Sequence, residues 1–483
     1  MTSTTRDGVS DAPVASGQRL PIDLLLAGGW VLSVDETRRI FRHGAVAVNA
    51  GVIVDIGPAE QLRERYQPST YLDTSDMVVM PGLINGHRHL LSTPKGAQPD
   101  GKTTLENLRD FVYPTFASLS ESEMQAYAMH HTAEMIRFGT TTFEEPGCVH
   151  LDAVLESLAS SGMRCRVGPW TWDQGGVARA NCPDWYRLTT DQAITRLQDG
   201  LATVRRFAHP LISDAVTIEG VGTCSNELNV AAAQLALDAD SLFVLHKASS
   251  EQEVRLELEA FGRRPVENMY AIGALNDHVF MNHVTSLDLA EVAMIAESGA
   301  SVGQNPSTAL KLSKGTTQTG QWPELLSAGV AMALGTDAEN ASNHADLCRA
   351  MYLAALLPRD ARRDPQAVTA EQAIEMATIS GARALRLDHQ IGSLTVGKQA
   401  DITVFATSDF DWHPVHNPVS NLVYGATGYS VDTVVIAGRI VLRGGVHTLV
   451  DIEEVHARVL EADRRVLRDL DATPGQPAWP IVD

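Results

Sequence analysis

Between Leu83 and about Asp388 the chain repeats one pattern: a short apolar run, then a stretch with helical spacing. The first run leads into His87. The others are Thr140–Phe143, Arg164–Gly168, Ala215–Ile218, Leu242–Leu245, His278–Asn282, Ala300–Gly303 and Val330–Leu334. Helical spacing is clearest over Glu123–Arg137, Ala193–Phe207, Glu251–Phe261 and Leu287–Ser298. Short apolar runs alternating with helix-length segments predict parallel strands joined by crossover helices, and eight such units close into a barrel. The expected class is therefore α/β, with a (β/α)8 TIM-like barrel. A chain of 483 residues with 44% apolar residues has room for that barrel and a second module.

The flanks supply the second module. Asp23–Leu32 reads as one hairpin, and Gly44–Val48 with Gly51–Gly57 as another around an Asn49-Ala50 turn. A short helix, Ala59–Arg65, precedes the strand Met77–Met80. Strands with glycine turns return at Ile391–Phe405 and Val431–Val441. Two strand-rich flanks predict one small β-sandwich built from both chain ends. The expected division is a disordered tail over 1–19, the sandwich over 20–82 and 390–446, the barrel over 83–389, and a C-terminal helix and tail over 447–483. Within the last, Ile452–Leu470 has amphipathic spacing.

In a parallel barrel the chemistry sits where the strands end. His87 and His89 flank Arg88, and strand alternation points the two imidazoles one way and Arg88 the other. A lone His-x-His near a turn is more commonly a surface accident. Here, however, the fifth strand ends in His246, the sixth in His283 and the eighth in Asp337, so metal-competent groups gather at one rim. The plain alternative for Asp337 is a helix N-cap. Glu144 and Glu145 end the second strand, where period two admits only one of them inward; a solvated loop pair is the other reading. Glu219 ends the fourth strand, in reach of substrate or of a second metal. Trp170 and Trp172 end the third, and the long loop Thr93–Tyr113 carries Lys95, Gln98 and Asp100. Trp185, Trp322 and Lys311 read as structural.

Composition removes several partners. A formal charge of −21 opposes nucleic acid and anionic membrane surfaces. No apolar run reaches membrane-span length, and the polar first residues do not form a secretory signal. The five cysteines (Cys148, Cys165, Cys182, Cys224, Cys348) are scattered and odd in number, which fits reduced thiols in the cytoplasm. The expected partner is a small molecule, with the chain assembled as a homodimer or higher homo-oligomer.

Five segments together resemble the amidohydrolase superfamily, in the branch holding the s-triazine chlorohydrolases and the guanine- and adenosine-type deaminases. They are Pro81-Gly82-Leu83-Ile84-Asn85-Gly86-His87-Arg88-His89; His283 before a helix at Asp288–Ser298; Ser301-Val302-Gly303-Gln304-Asn305-Pro306-Ser307; Leu334-Gly335-Thr336-Asp337; and Gly392-Ser393-Leu394-Thr395-Val396-Gly397-Lys398-Gln399-Ala400-Asp401. The resemblance implies that His87, His89, His246 and Asp337 are metal ligands and that His283 faces substrate or water. It implies one divalent ion per chain, zinc first, with Fe2+, Co2+ and Mn2+ also compatible. Asp337 then serves as proton acceptor as well as ligand. Substrate contacts are expected from Glu219, Glu145, Glu144, Trp170, Trp172, Gln98 and Asn305.

One departure bears on the reaction. Related deaminases carry His-x-x-Glu on the fifth strand, and that glutamate moves a proton to the ring; here the segment is His246-Lys247-Ala248-Ser249. Glu144, Glu145 or Glu219 could replace it. No lysine ends the fourth strand, so a carbamate bridge and a second metal are not expected. The reading is a metal-dependent hydrolase of a C–N bond in a small, largely uncharged, possibly aromatic amide, urea or carbamate. The alternative is a deaminase or dechlorinase of a purine, pyrimidine or s-triazine ring. A non-catalytic barrel scaffold is the third reading, opposed by the retained ligand set.

Overall fold

The computed structural model describes residues 19–91, 94–95, 101–174, 187–220, 222–469 and 479. The expected disordered tail up to residue 18, with Gln98, Asp100, Cys182 and Trp185, falls outside these residues.

One eight-stranded sheet forms the barrel, its strands ordered as in the chain. They are Leu83–Asn85, Thr140–Cys148, Arg164–Pro169, Ile212–Gly220, Leu242–Lys247, Val279–His283, Ser301–Gln304 and Met332–Leu334, and each neighbouring pair is parallel. All eight expected strands are present; several run further toward the rim than the apolar runs suggest. The seam between the last strand and the first is closed by single contacts. The Gly86 amide donates to the Leu334 carbonyl at 2.7 Å, and the Asp337 amide to the His87 carbonyl at 2.8 Å. Below the rim the interior is filled by Ile84, Ala215, Leu242, Val244, Phe280 and Ala333, so the barrel is a packed core and chemistry is confined to its end.

Helices cover the outside, among them Glu121–Arg137, Thr190–Phe207, Glu251–Phe261 and Leu289–Ser298. The first begins with a capping box, Ser120 receiving the Glu123 amide while the Glu123 carboxylate receives the Ser120 amide. The C-terminal helix, Ile452–Asp469, packs on that same helix, where Arg465 Nη2 donates to Glu123 Oε2 at 2.7 Å.

Both chain ends contribute to a seven-stranded sheet that contains Trp30–Leu32, Ile40–Phe41 and Met77–Pro81 beside Ile402–Ala406, Val431–Ile436, Arg439–Arg443 and Val446–His447. A four-stranded sheet of Leu20–Ala27, Gly44–Asn49, Val52–Pro58 and Tyr66–Asp73 faces it across Leu24, Val46, Val48, Val79, Ile402 and Val404. The expected hairpin over Asp23–Leu32 does not form, because its two halves lie in different sheets. Gly29 makes the crossing: a Cβ there would meet the Thr74 and Met77 carbonyl oxygens at 2.0 and 2.3 Å. The Gly44–Asn49 and Val52–Pro58 pair is a hairpin as expected, with positive φ at Ala50 and Gly51.

Asp401 ties the two parts together. Its carboxylate receives Arg164 Nε and Nη2, both at 2.9 Å, from the base of the third barrel strand, and all of these groups are buried. Its carbonyl receives the Gly82 amide just before the first barrel strand. No described helix is long and apolar enough to cross a membrane.

Candidate active site

His87 and His89 leave the first strand on one face, as alternation requires, with ring centroids 4.9 Å apart. Their Nε2 atoms lie 3.4 and 3.8 Å from Asp337 Oδ1. His246 arrives from the fifth strand, its Nε2 at 3.2 Å from His89 Nε2. His283 Nε2 stands 3.9 Å from Asp337 Oδ2. All five residues are buried, and two overlapping groups of three (His87, His89, His246; His87, His283, Asp337) each bring their donor atoms within 4.8 Å.

The backbone is bent to achieve this. Asp337, His283 and Val284 have φ of 58°, 77° and 38°, left-handed values that non-glycine residues adopt at some energetic cost. Asp337 is held in that bend by its amide on the His87 carbonyl, and Oδ1 receives the Ala338 amide at 2.6 Å.

Arg88 points away from the histidines, as expected, and is fully buried. Its guanidinium donates to Glu339 at 2.7 Å, Glu134 at 2.9 Å and the Asp337 carbonyl at 2.9 Å. Lys95 adds a 2.7 Å pair to Glu339. This ionic cluster therefore braces the Asp337 loop from behind.

The electrostatics suit a cation. Burial pulls His87 down to about 4 against the pull of Asp337, and burial holds His89 and His283 well below the ordinary imidazole range. They are neutral at pH 7, the form that binds metal. Burial alone would raise Asp337, but the imidazoles of His87, His283 and His89 around its carboxylate keep it well below the carboxylate range. The buried Nε2 of His87 has no hydrogen-bond partner among the described residues. An unpartnered buried nitrogen facing a carboxylate and two imidazoles fits a divalent ion as the missing partner.

The ring edges facing away are supported. His246 Nδ1 donates to the Glu219 carbonyl at 2.7 Å, leaving Nε2 facing the cluster with its lone pair available to a cation. Glu144 Oε2 lies 3.8 Å from His87 Nδ1, and Glu145 Oε1 lies 3.8 Å from His89 Nδ1. Burial raises both carboxylates well above their usual range, with the neighbouring Glu145 adding to the effect at Glu144. Asn305 Nδ2 lies 3.2 Å from His283 Nδ1. With the amide as donor there, the imidazole proton sits on Nε2, toward Asp337.

A cavity opens above the cluster. Leu108, Val112, Phe116 and Leu312 give it apolar walls; His89, Glu219, His246, Ser249, His283, Lys314 and Asp337 line its polar end. Glu219 is fixed by Tyr113, which donates at 3.2 Å to Oε1, and by the Trp170 indole, which donates to Oε2. Burial raises Glu219, partly offset by His246, Trp170 and Tyr113.

Of the expected substrate contacts, Glu219 and Trp170 border the cavity. Glu144, Glu145 and Asn305 do not: each stands on the side of a histidine that faces away from Asp337, the two carboxylates at 3.8 Å from the imidazole nitrogens and the Asn305 amide at 3.2 Å. Trp172 packs edge-on against Trp170, with centroids 4.7 Å apart, and supports the wall without forming it. Period two holds for the glutamates, yet the two faces meet two different histidines, so each carboxylate stands beside one. Lys314 was not singled out by sequence reasoning, nor were Asn107 and Asn340 on the cavity wall. Lys314 lies three residues past Lys311, in a loop read as structure. Lys311 does act that way, donating to the Asn340 carbonyl at 3.1 Å.

Comparison with known proteins agrees with this geometry. The amidohydrolase family profile matches residues 78–441, and a bacterial imidazolonepropionase-like composite domain matches residues 44–66. The 5-methylthioadenosine/S-adenosylhomocysteine deaminase of Syntrophobacter fumaroxidans is 36% identical, covering 90% of this chain and 97% of that one. The 5′-deoxyadenosine deaminase of Methanothermobacter thermautotrophicus is 31% identical over 87% of this chain and 93% of that one. A zinc-bound adenosine deaminase structure from Xanthomonas campestris superposes with a TM-score of 0.87 at 29% identity, covering 93% and 100% of the two chains. The zinc complex of atrazine chlorohydrolase from Arthrobacter aurescens, at 22% identity and a TM-score of 0.80 over 91% and 100%, shares the fold. The chain belongs to the amidohydrolase family, as a metal-dependent hydrolase acting on carbon–nitrogen bonds.

Proposed function

We propose that this chain is a hydrolytic deaminase that removes the exocyclic amine of a 6-aminopurine nucleoside with an uncharged substituent on the ribose 5′ carbon. The observation that carries this reading is the convergence of four buried imidazoles and Asp337 at the floor of one apolar-walled cavity. The relatives named for methylthioadenosine and deoxyadenosine support the substrate class. The walls from Leu108, Val112, Phe116 and Leu312 suit a flat base.

In this reading His87, His89, His246 and Asp337 hold one divalent ion, with zinc favoured by the Xanthomonas structure. When bound, the ion lowers the pKa of water toward neutrality and so supplies the nucleophile. Asp337 accepts the proton of the attacking water and returns it to the leaving amine. His283, with its proton on Nε2, donates to the oxygen that gains charge. Glu219, held by Tyr113 and Trp170, receives a donor of the substrate. Glu144, Glu145 and Asn305 orient the imidazoles. The four described cysteines are buried free thiols, which supports a reducing, cytoplasmic setting.

A second reading keeps one specific support. Ser249 stands where the related deaminases carry an acid, and cleavage of an amide, urea or carbamate does not need ring protonation. The test is ammonia release by the zinc-loaded chain from 5′-deoxyadenosine, methylthioadenosine and S-adenosylhomocysteine, beside a panel of small amides and ureas. Stoichiometric ammonia with an oxo-purine product supports deamination. Turnover of the amide panel alone would replace it with the second reading.

A further inference from the structure

Lys314 is 5% exposed and borders the polar end of the cavity together with Ser249, His283 and Asp337. Its backbone is fixed by the amide donating to the Ala309 carbonyl at 2.8 Å. Among the described residues its ammonium makes no hydrogen bond and no ion pair; Asp337, Glu253 and Glu219 act on it only through space. The chain's other strongly buried lysine near the site, Lys247, is paired with Glu257. A buried ammonium without a partner is unfavourable unless a bound group completes it. The direction in which it faces is the substrate cavity.

Ser249 completes the picture. It lines the same end of the cavity with a side chain too short to reach far into it. The nearest carboxylate on that segment, Glu253, is turned back to receive the Ser249 amide at 2.6 Å and does not border the cavity. Among the described cavity-lining residues at this end, the one cationic donor is thus Lys314.

We propose that Lys314 donates a hydrogen bond to the substrate's acceptor atom beside the attacked carbon, the ring nitrogen of a 6-aminopurine, in the space that Ser249 leaves open. This rests on the deaminase reading above. Water oxygen bonds to the carbon and its proton passes to Asp337, while the C=N π pair moves onto the ring nitrogen facing Lys314. That pair returns as the C–NH2 bond breaks, and the amine leaves with the proton from Asp337. A fixed cation at the nitrogen stabilises the charge that exists only between those two events. Burial draws the Lys314 amine below its ordinary value, and Asp337, Glu253 and Glu219 draw it partly back.

The test measures binding as well as rate. Purine riboside and its 1-deaza counterpart, which replaces the ring nitrogen by carbon and has no amine to release, are titrated against zinc-loaded wild type and Lys314→Met. Wild type should prefer the nitrogen-bearing ligand by at least about tenfold, the size of one lost charged hydrogen bond. Lys314→Met should bind the two alike and lose at least about 100-fold in kcat with aminopurine nucleosides. Lys314→Gln, which keeps a donor, should retain part of the preference. Combining Lys314→Ser with Ser249→Glu moves the donor to the neighbouring wall and should recover rate over Lys314→Met. An unchanged preference in Lys314→Met and Lys314→Gln overturns the proposal. If wild type releases no ammonia from any aminopurine nucleoside, the deaminase reading itself fails, which is a separate result.

Discussion

The Asp337 amide donates to the His87 carbonyl at 2.8 Å, so the contact that closes the barrel seam also sets the distance between two of the metal-competent groups. His87 Nε2 and Asp337 Oδ1 stand 3.4 Å apart as a result. The spacing is fixed by backbone, with Arg88 bracing the Asp337 carbonyl from behind. Side-chain changes at Asp337 should therefore leave the fold in place.

Asp337→Asn is the first consequence. The backbone contact survives, while the side chain no longer accepts a proton. Turnover should fall about 10²–10⁴-fold with an unchanged melting temperature. Activity within a few-fold of wild type would place the base elsewhere.

Glu145→Gln probes the support behind a ligand. The carboxylate near His89 Nδ1 favours the imidazole orientation that presents Nε2, so its loss should weaken zinc binding about 10–100-fold in a chelator competition. KM at saturating zinc should stay near wild type, because Glu145 does not border the cavity. A raised KM with intact zinc affinity would return Glu145 to the substrate.

Arg88→Ala removes a buried cation and leaves Glu134 and Glu339 without their main partner. Losing one side of a buried ion pair costs about 3–5 kcal/mol. Chemical denaturation should show a loss of that order, whereas a change under about 1 kcal/mol would mean that Lys95 alone neutralises the pair.

Acid should weaken the metal-free protein in a defined window. Burial lowers both His130 and His344 from 6.5 to about 4, so between those values the unfolded chain binds more protons than the folded one. Their contribution is full above pH 6.5 and is lost progressively as pH falls toward about 4. The His130→Gln/His344→Gln variant should show a flatter stability curve across that range. An identical slope would assign the acid sensitivity to other groups.

The barrel and its floor were legible because both follow from short periods. Apolar runs mark the strands, and the residue just past each run marks the rim; that rule alone finds His87, His89, His246, His283 and Asp337. Glu144 and Glu145 are legible as candidates, but their places beside His87 and His89 are not, since sequence does not tell which edge of an imidazole a carboxylate meets. The same holds for Asn305 beside His283. Lys314 left no signal, because a lysine in a loop is normally solvated, and only tertiary packing buries this one. The hairpin over Asp23–Leu32 failed at Gly28-Gly29, where a glycine pair reads as a turn but serves to pass the chain between sheets.

The account rests on one metal held by four named side chains. Anomalous scattering at the zinc edge from crystals of the zinc-loaded chain measures that directly. The account predicts one peak per chain, within coordination distance of His87, His89, His246 and Asp337. Two peaks with Glu219 between them, or a single peak away from these residues, would contradict it.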